Sequence, residues 1–324
     1  MKIKKILITG SSGYIGSCLS SYFSKKYRIY LIDKAKPGKF NKSKNIFFNC
    51  NLLQKKKIYT ILQDIKPDVV IHLAGQSTVN EKISMKNYYQ NNFKATSILL
   101  DAMNKIKVKN IIFASTAAVY KKTNKLLSEN SLKKPISKYG KTKLMSENLI
   151  INNKKVCSII FRFFNVASAL SKPLIGELHK PETHLIPRTV SRCFQGKPMT
   201  IYGRNFKTKD GTCLRDYIHI LDICNAIDKS IFYLSKMKNK NIFNLGCGRA
   251  VSNLEVVNNV RNKFAKKNKI RFTKKRKGDN AKLICSIKKA KKILNWSPNN
   301  SNIMRIINDE IKWNKYLSEN KINR

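Results

Sequence analysis

The stretch KKILITGSSGYIG, residues 4–16, limits the possible folds more than any other part of the chain. An apolar, β-favouring run ends at Thr9, Gly10, Gly13 and Gly16 follow at three-residue spacing, and the chain passes straight into a helix-forming segment. Glycines so placed allow a tight turn, let a pyrophosphate approach the backbone, and let the helix pack on the sheet with its N-terminus facing the phosphates. A glycine trio alone also suits many structural turns; its position between strand and helix is what points to a dinucleotide. Asp33 closes the second apolar run, after Leu31 and Ile32, where a carboxylate can accept both ribose hydroxyls of an adenosine. That favours NAD over NADP, although Lys34 and Lys36 stand nearby.

The pattern continues as short β-rich runs alternating with longer amphipathic ones. Strands are expected at 2–9, 28–32, 46–49, 69–73, 110–114 and 157–163, and helices at 14–25, 55–65, 87–104 and 139–151. Such alternation predicts an α/β fold, a doubly wound parallel Rossmann sheet. From about residue 169 the sequence turns irregular, punctuated by Pro173, Pro181, Pro187 and Pro198, as in a smaller, mixed C-terminal substrate domain built from insertions. The expected division is a dinucleotide domain over 1–168 with a returning segment at about 213–234, and a substrate domain over 169–212 and 235–324.

The charge balance is extreme, 66 basic against 18 acidic residues for a net +48, and would suit a nucleic-acid binder. The basic residues are spread along the whole chain, however, and lysine rises together with Asn and Ile, the pattern of a compositional bias. Solvated faces with incidental anion affinity and no specific nucleic acid are therefore expected. The apolar run at residues 6–8 is too short for a signal peptide and no later stretch approaches a membrane span, so a cytoplasmic protein without a membrane partner is expected. Eight scattered cysteines read as reduced thiols, and neither they nor the four histidines show a metal-site spacing, so no metal is implied. His72 and His219 sit in apolar surroundings and read as satisfied core histidines.

Chemistry is signalled by Tyr139-Gly140-Lys141-Thr142-Lys143, where a tyrosine and a lysine four apart share one helix face. A lysine ammonium beside a phenol favours the phenolate, which can take a proton from a sugar hydroxyl near neutral pH. A Tyr-x-x-x-Lys pair by itself is ordinary surface decoration. Here it follows a dinucleotide turn and the Ser115-Thr116 pair at a strand end, where Thr116 can bond the same hydroxyl and relay its proton to Tyr139.

At these residues the chain resembles the UDP-glucose 4-epimerases, NAD-dependent members of the extended short-chain dehydrogenase/reductases. The segments TGSSGYIG, VVIHLAGQSTVNE, YYQNN, IIFASTAAVY, YGKTKLMSE, RFFNVASA, ETHLIPR, DGTCLRDYIHILDI, FNLGCG and KRKGD carry the resemblance, and ETHLIP and DGTCLRDYIH are its most particular parts. The resemblance implies an NAD site lined by Gly10, Gly13, Tyr14, Ile15, Asp33, Asn51, Leu52, Leu73, Ala74, Gly75, Ser77, Asn91, Tyr139, Lys143 and Phe164. It likewise implies a UDP-sugar site formed by Thr116, Asn165, His184, Leu185, Ile201, Tyr202, Arg215, Tyr217, Arg276, Asp279 and Leu283. Arg215 and Arg276 can clamp a diphosphate and Asp279 can accept ribose hydroxyls. Four positions depart from the family: Asn51 stands for an aspartate, Lys121 and Ala250 for glycines, and the segment 81–88 is one residue short and lacks a proline.

The resemblance further implies a homodimer paired through the 87–104 and 139–151 helices, and an isomerase that oxidises C4 of a UDP-hexose to a 4-keto sugar and reduces it from the opposite face. Related dehydratases and decarboxylases usually place an acidic residue just after the strand-end Ser/Thr; Ala117 and Ala118 stand there, and a methyl group cannot move protons. A non-enzymatic polyanion binder on the same fold is the alternative from a different class, and the intact Thr116, Tyr139 and Lys143 set argues against it.

Overall fold

Seven parallel strands form the central sheet of the computed structural model, which describes residues 3–36, 45–78, 80, 82–179, 181–236, 239–265, 268–276 and 278–322. Lys2, Val79, Glu81 and Lys277, each part of a stretch discussed above, lie outside the described residues. Strands β1 (Lys5–Thr9), β2 (Arg28–Asp33), β3 (Ile46–Asn49), β4 (Val69–His72), β5 (Asn110–Thr116) and β6 (Cys157–Phe163) are joined by the strand Lys240–Leu245. Their order is Lys240–Leu245, β6, β5, β4, β1, β2, β3, with every neighbouring pair parallel. A parallel sheet is covered on both faces, which is why Ile6, Leu7 and Ile8, like Val69, Val70 and Ile71, are all fully buried.

One face is covered by the helices Tyr14–Phe23, Ile220–Lys236 and Lys288–Leu294, which contribute Phe23, Ile223, Ile227 and Leu294 to a core shared with Ile6 and Ile8. The other is covered by Lys55–Ile65, Ala95–Ile106 and Lys138–Asn152, through Ile58, Leu62, Leu99, Met103 and Ile150. The strand order reverses between β1 and β4, and a crevice opens at the carboxyl ends of such strands. A second, smaller core gathers the helices Leu185–Phe194, Asn253–Lys263 and Ile303–Glu319 with the parallel pair Met199–Tyr202 and Ile270–Thr273. Among the described residues no helix is long and apolar enough to cross a membrane, and all eight cysteines are free thiols.

Two features differ from the expected organisation. Lys240–Leu245 was assigned with residues 235–324 to the substrate domain, yet it pairs with β6 in the main sheet, and Phe243 and Leu245 are fully buried there. Lysines and asparagines crowd residues 236–241 and disguise the start of that strand. The helix expected at 87–104 begins at Met85 and widens into a π-turned stretch, Tyr89–Lys94, before Ala95–Ile106. Side-chain periodicity does not reveal a single π turn, and such turns gather at functional sites. This one buries Asn92, whose Oδ1 accepts from the Gln76 amide at 2.7 Å while its Nδ2 donates to Thr142 Oγ1 at 3.0 Å.

The Lys138–Asn152 helix is fixed at its first turn and again at Glu147. Ser137 Oγ caps it by accepting from the Gly140 amide at 3.0 Å. Gly140 is needed because a Cβ there would lie 2.4 Å from the Ala118 carbonyl oxygen. Deeper in, Glu147 is fully buried and takes Arg162 Nη2 at 2.6 Å and Nε at 3.0 Å, together with the Ser115 hydroxyl. Arg162 Nη1 also donates to Tyr120 Oη at 2.9 Å and to the Glu129 carbonyl at 3.1 Å. Every donor of this guanidinium aimed at the helix therefore meets a partner, which is the condition for keeping a charge pair in a core. Glu147→Gln should destabilise the protein by about 3–5 kcal/mol, since it leaves a buried guanidinium without its counter-charge. Denaturant unfolding measures it, and Glu147→Gln with Arg162→Met should recover part of the loss; a neutral single variant would show the pair to be dispensable.

Candidate active site

At the β1–β4 divide the glycine turn and the loop after β4 meet backbone to backbone. Gly10 has φ +73°, and a Cβ on it would stand 2.5 Å from the Ala74 nitrogen. A Cβ on Gly16 would fall 2.3 Å from the Gly10 oxygen, so this glycine sets how closely the first helix packs. Gly13 is exposed with only the Gly10 oxygen in range, at 3.4 Å, and leaves the helix N-terminus open to a ligand. Tyr14 and Ile15 begin that helix half-buried, and Tyr14 Oη donates to the Ser168 carbonyl at 2.5 Å. Asp33 ends β2 beside the turn, its Oδ2 accepting from the Ser12 amide and its Oδ1 from the Ala35 amide, both at 3.0 Å.

The remaining residues expected around NAD lie after β3, after β4 and on the π-turned stretch. Asn51 Oδ1 accepts from the Leu53 amide at 3.0 Å, which leaves a second lone pair for a donor, and Leu52 is buried behind it. Leu73 and Ala74 are half-buried, and Gly75 and Ser77 are exposed. Asn91 is half-buried and donates from Nδ2 to the Asn87 carbonyl at 2.8 Å, on the π-turned stretch. Asn92, which sequence reasoning did not single out, is the more deeply embedded of the pair and would stand 2.8 Å from a Cβ on Gly75. The doubled asparagine in YYQNN was its only signal.

Thr116 ends β5 and Tyr139 opens the Lys138–Asn152 helix, near enough for the threonine hydroxyl to favour the phenolate. Lys143 is buried one turn on, with Nζ 4.0 Å from the centroid of the Phe113 ring. The expected lowering of the phenol by Lys143 is corrected by this geometry. Burial pushes Tyr139 up to about 12, the bond from Thr116 works against the rise, and Tyr88 adds to it. Burial also depresses Lys143 to about 7, with Glu147 pulling it back. Sequence spacing places two side chains on one face but does not report how dry that face is. Protein groups alone thus hold a protonated phenol next to an easily neutralised amine.

Thr116 pairs in register with Phe163, and the chain then runs through the buried Phe164 to Asn165, which lines a second cavity. His184, Leu185, Tyr202, Arg215, Tyr217, Arg276 and Asp279 line it too. Arg276 lies 4.0 Å and Arg188 5.0 Å from the Tyr202 ring centroid, so two cations stack on one aromatic ring. Arg215 Nη2 reaches Asp279 Oδ1 at 3.4 Å, and its Nη1 donates to the Asn280 carbonyl at 2.8 Å. Burial lowers His184, but bonds to Glu177 and Glu182 outweigh it and raise the imidazole to about 10. The cavity is therefore cationic on several sides, as an anionic diphosphate requires.

Two of the expected sugar-site residues stand apart. Ile201 is fully buried in the second core, and its side chain does not face the cavity; alternation along Met199–Tyr202 turns Tyr202 outward instead. Leu283 is half-buried against Ala117, Val119, Phe164 and Cys285, and pairs in register with Arg215. Both suspected core histidines are satisfied: His72 lies between Thr9 Oγ1 at 2.7 Å and Thr96 Oγ1 at 2.9 Å, and His219 Nε2 meets Ser168 Oγ at 2.8 Å.

Among curated proteins, the UDP-glucose 4-epimerase of Lactobacillus helveticus is 34% identical over 320 residues, covering 96% of this chain and 97% of its own. Among solved structures, the UDP-glucose 4-epimerase of Bifidobacterium longum in complex with NAD+ and UDP has a TM-score of 0.90 at 25% identity, covering 99% of this chain and 100% of its own. The UDP-Glc/GlcNAc 4-epimerase of Campylobacter jejuni has a TM-score of 0.82 at 31% identity, covering 97% and 99%. Residues 6–246 match the model of the NAD dependent epimerase/dehydratase family, and the chain belongs to that family.

Proposed function

We propose that crevice and cavity are one active site, which inverts C4 of a UDP-hexose with NAD as resident cofactor. The observation that carries this reading is the hydroxyl pair Thr116–Tyr139, set at the strand end whose register partner leads within two residues into the cationic cavity. The residues fit NAD: the glycine turn leaves no room for a Cβ at Gly10, and Asp33 is held by backbone amides at the edge of the same turn. The UDP-glucose 4-epimerase relative, alike over nearly its whole length, supports the same reaction here. In this reading the sheet body, residues 1–168 with the returning 213–234 and the strand Lys240–Leu245, holds NAD, and the smaller core with the cavity holds UDP-sugar.

When bound, NAD+ would supply a reversible hydride acceptor for C4. Thr116 orients the C4 hydroxyl and Tyr139 takes its proton. Lys143, able to lose or keep its own proton near neutrality, tunes that phenol. Arg215, Arg276 and His184 hold the diphosphate while the 4-keto sugar turns to present its other face, and Asp279 accepts from the ribose. Tyr139 then returns the proton. Ala117 and Ala118 offer no acid or base that would divert the keto sugar towards elimination. A homodimer through the helices at 87–104 and 139–151 is part of the proposal; Met85 and Tyr89, each 39% exposed, stand on the first of them.

Purified protein should carry bound NAD, and Tyr139→Phe should keep it while losing activity on the order of 10²–10⁴-fold. Because the phenol must ionise to act and burial holds it high, turnover should rise with pH, and Tyr139→Phe should abolish that rise. Product analysis with UDP-galactose checks both, and epimerisation by Tyr139→Phe at the parent rate would contradict the assignment. Lys143→Ala should lose activity and cofactor together.

Leu283 sets the second prediction. Its side chain is shorter than a phenol and packs against the cluster of Ala117 and Phe164, beside the strand end where C4 is proposed to sit. The protein should therefore epimerise UDP-N-acetylglucosamine beside UDP-glucose. Leu283→Tyr should suppress the N-acetylated substrate selectively, since overpacking acts on the larger sugar first. Equal loss of both activities, or of neither, would show that Leu283 packs the core without gating the sugar.

A further inference from the structure

Next to the cationic cavity, the run Glu177-x-His179-x-x-Glu182-x-His184 folds its four polar side chains onto one another. His179 Nδ1 lies 2.5 Å from Glu177 Oε1, and His184 Nδ1 lies 3.3 Å from Glu177 Oε2 and 2.9 Å from Glu182 Oε1. Ligand atoms of Glu177, His179 and His184 all fall within 4.8 Å of each other. Ion pairing accounts for these three residues. It does not account for Glu182 Oε2, which is buried without a hydrogen-bond partner on a side chain only 8% exposed. A buried carboxylate oxygen left unmatched is costly and calls for a cation.

We propose that Glu177, His179 and His184 form a binding site for one divalent transition cation of the zinc class, with Glu182 held beside them on His184. Two imidazoles and one carboxylate, with solvent in the fourth position, are a borderline donor set that suits zinc, cobalt or nickel and does not suit calcium or copper(I). Tetrahedral bonds of about 2.0–2.1 Å place ligand atoms about 3.3 Å apart, close to the spacings already present. The frame is rigid: the Glu177 carbonyl accepts from Trp313 Nε1 at 3.0 Å, and a Cβ on Gly176 would stand 2.5 Å from the Trp313 ring. The cation would staple Glu177, His179 and His184 to the Trp313-bearing helix Ile303–Glu319 and fix the position from which His184 and the Leu185–Phe194 helix meet the cavity wall. Neither histidine spacing nor cysteine spacing announces such a site, because its ligands alternate between carboxylate and imidazole.

The test uses the untagged protein with its NAD, stripped by a chelator and titrated with Zn²⁺ and then Co²⁺ at mildly alkaline pH, and the incoming cation displaces the protons that the imidazoles share with Glu177 and Glu182, so proton release accompanies binding. One equivalent of Zn²⁺ should bind and raise the thermal midpoint. Co²⁺ should give visible d–d bands with no thiolate charge-transfer band, which separates this site from the cysteines. His179→Ala and Glu182→Gln should each weaken binding by at least the ~10–100-fold that loss of an outer partner costs, with an unchanged circular dichroism spectrum. Both variants should remove the thermal shift. Absence of stoichiometric binding, a thiolate band, or unchanged affinity in either variant would overturn the proposal.

Discussion

The geometry of the proposed site rests on the buried contact between Glu147 and Arg162. The carboxylate belongs to the helix that presents Tyr139 and Lys143, and the guanidinium belongs to β6. Through Ser115 the same carboxylate holds β5 one residue short of Thr116, and through Tyr120 and Asn244 the guanidinium reaches the strand Lys240–Leu245. Three strands and one helix are thus registered by a single charge pair. Gly140 completes the arrangement by letting the first turn of the helix sit directly on Ala118. Oil-like packing would tolerate small slips of such a helix, whereas directional bonds from a fixed guanidinium do not.

This rigidity matters because the tyrosine's environment works against ionisation. Burial raises Tyr139 to about 12 and lowers Lys143 to about 7, so both groups are held towards their neutral forms. A low-dielectric pocket enlarges the effect of any charge brought into it. A positively charged nicotinamide therefore has most leverage on the phenol in just such a place. The dryness that makes the free phenol a poor base would couple its ionisation to the charge of a cofactor bound beside it.

Much of the fold was legible because parallel strands buried on both faces must be apolar throughout, and the runs ending at Thr9, Asp33 and His72 show it directly. The glycine turn and the Tyr139–Lys143 pair were legible because close approach and helical spacing each demand particular residues at fixed intervals. What escaped was whatever depends on partners distant in sequence. Glu147 and Arg162 look like ordinary charges until β6 is laid beside the helix, and Lys240–Leu245 looks like a linker until it meets Phe161. Ile201 was expected at the sugar and lies in a core, since one residue along a strand exchanges inside for outside. Asn92 owes its position to a π turn that leaves no periodic trace.

The central claim is that hydride leaves C4 and returns to it within one closed site, with no exchange with solvent or with a second cofactor. UDP-galactose carrying deuterium at C4 tests this most directly, by incubation in ordinary water and mass analysis of the UDP-glucose formed. The account predicts that the product keeps its deuterium at C4. Loss of the label to water would contradict it, because it would mean that the C–H bond is broken by proton abstraction and not by hydride transfer.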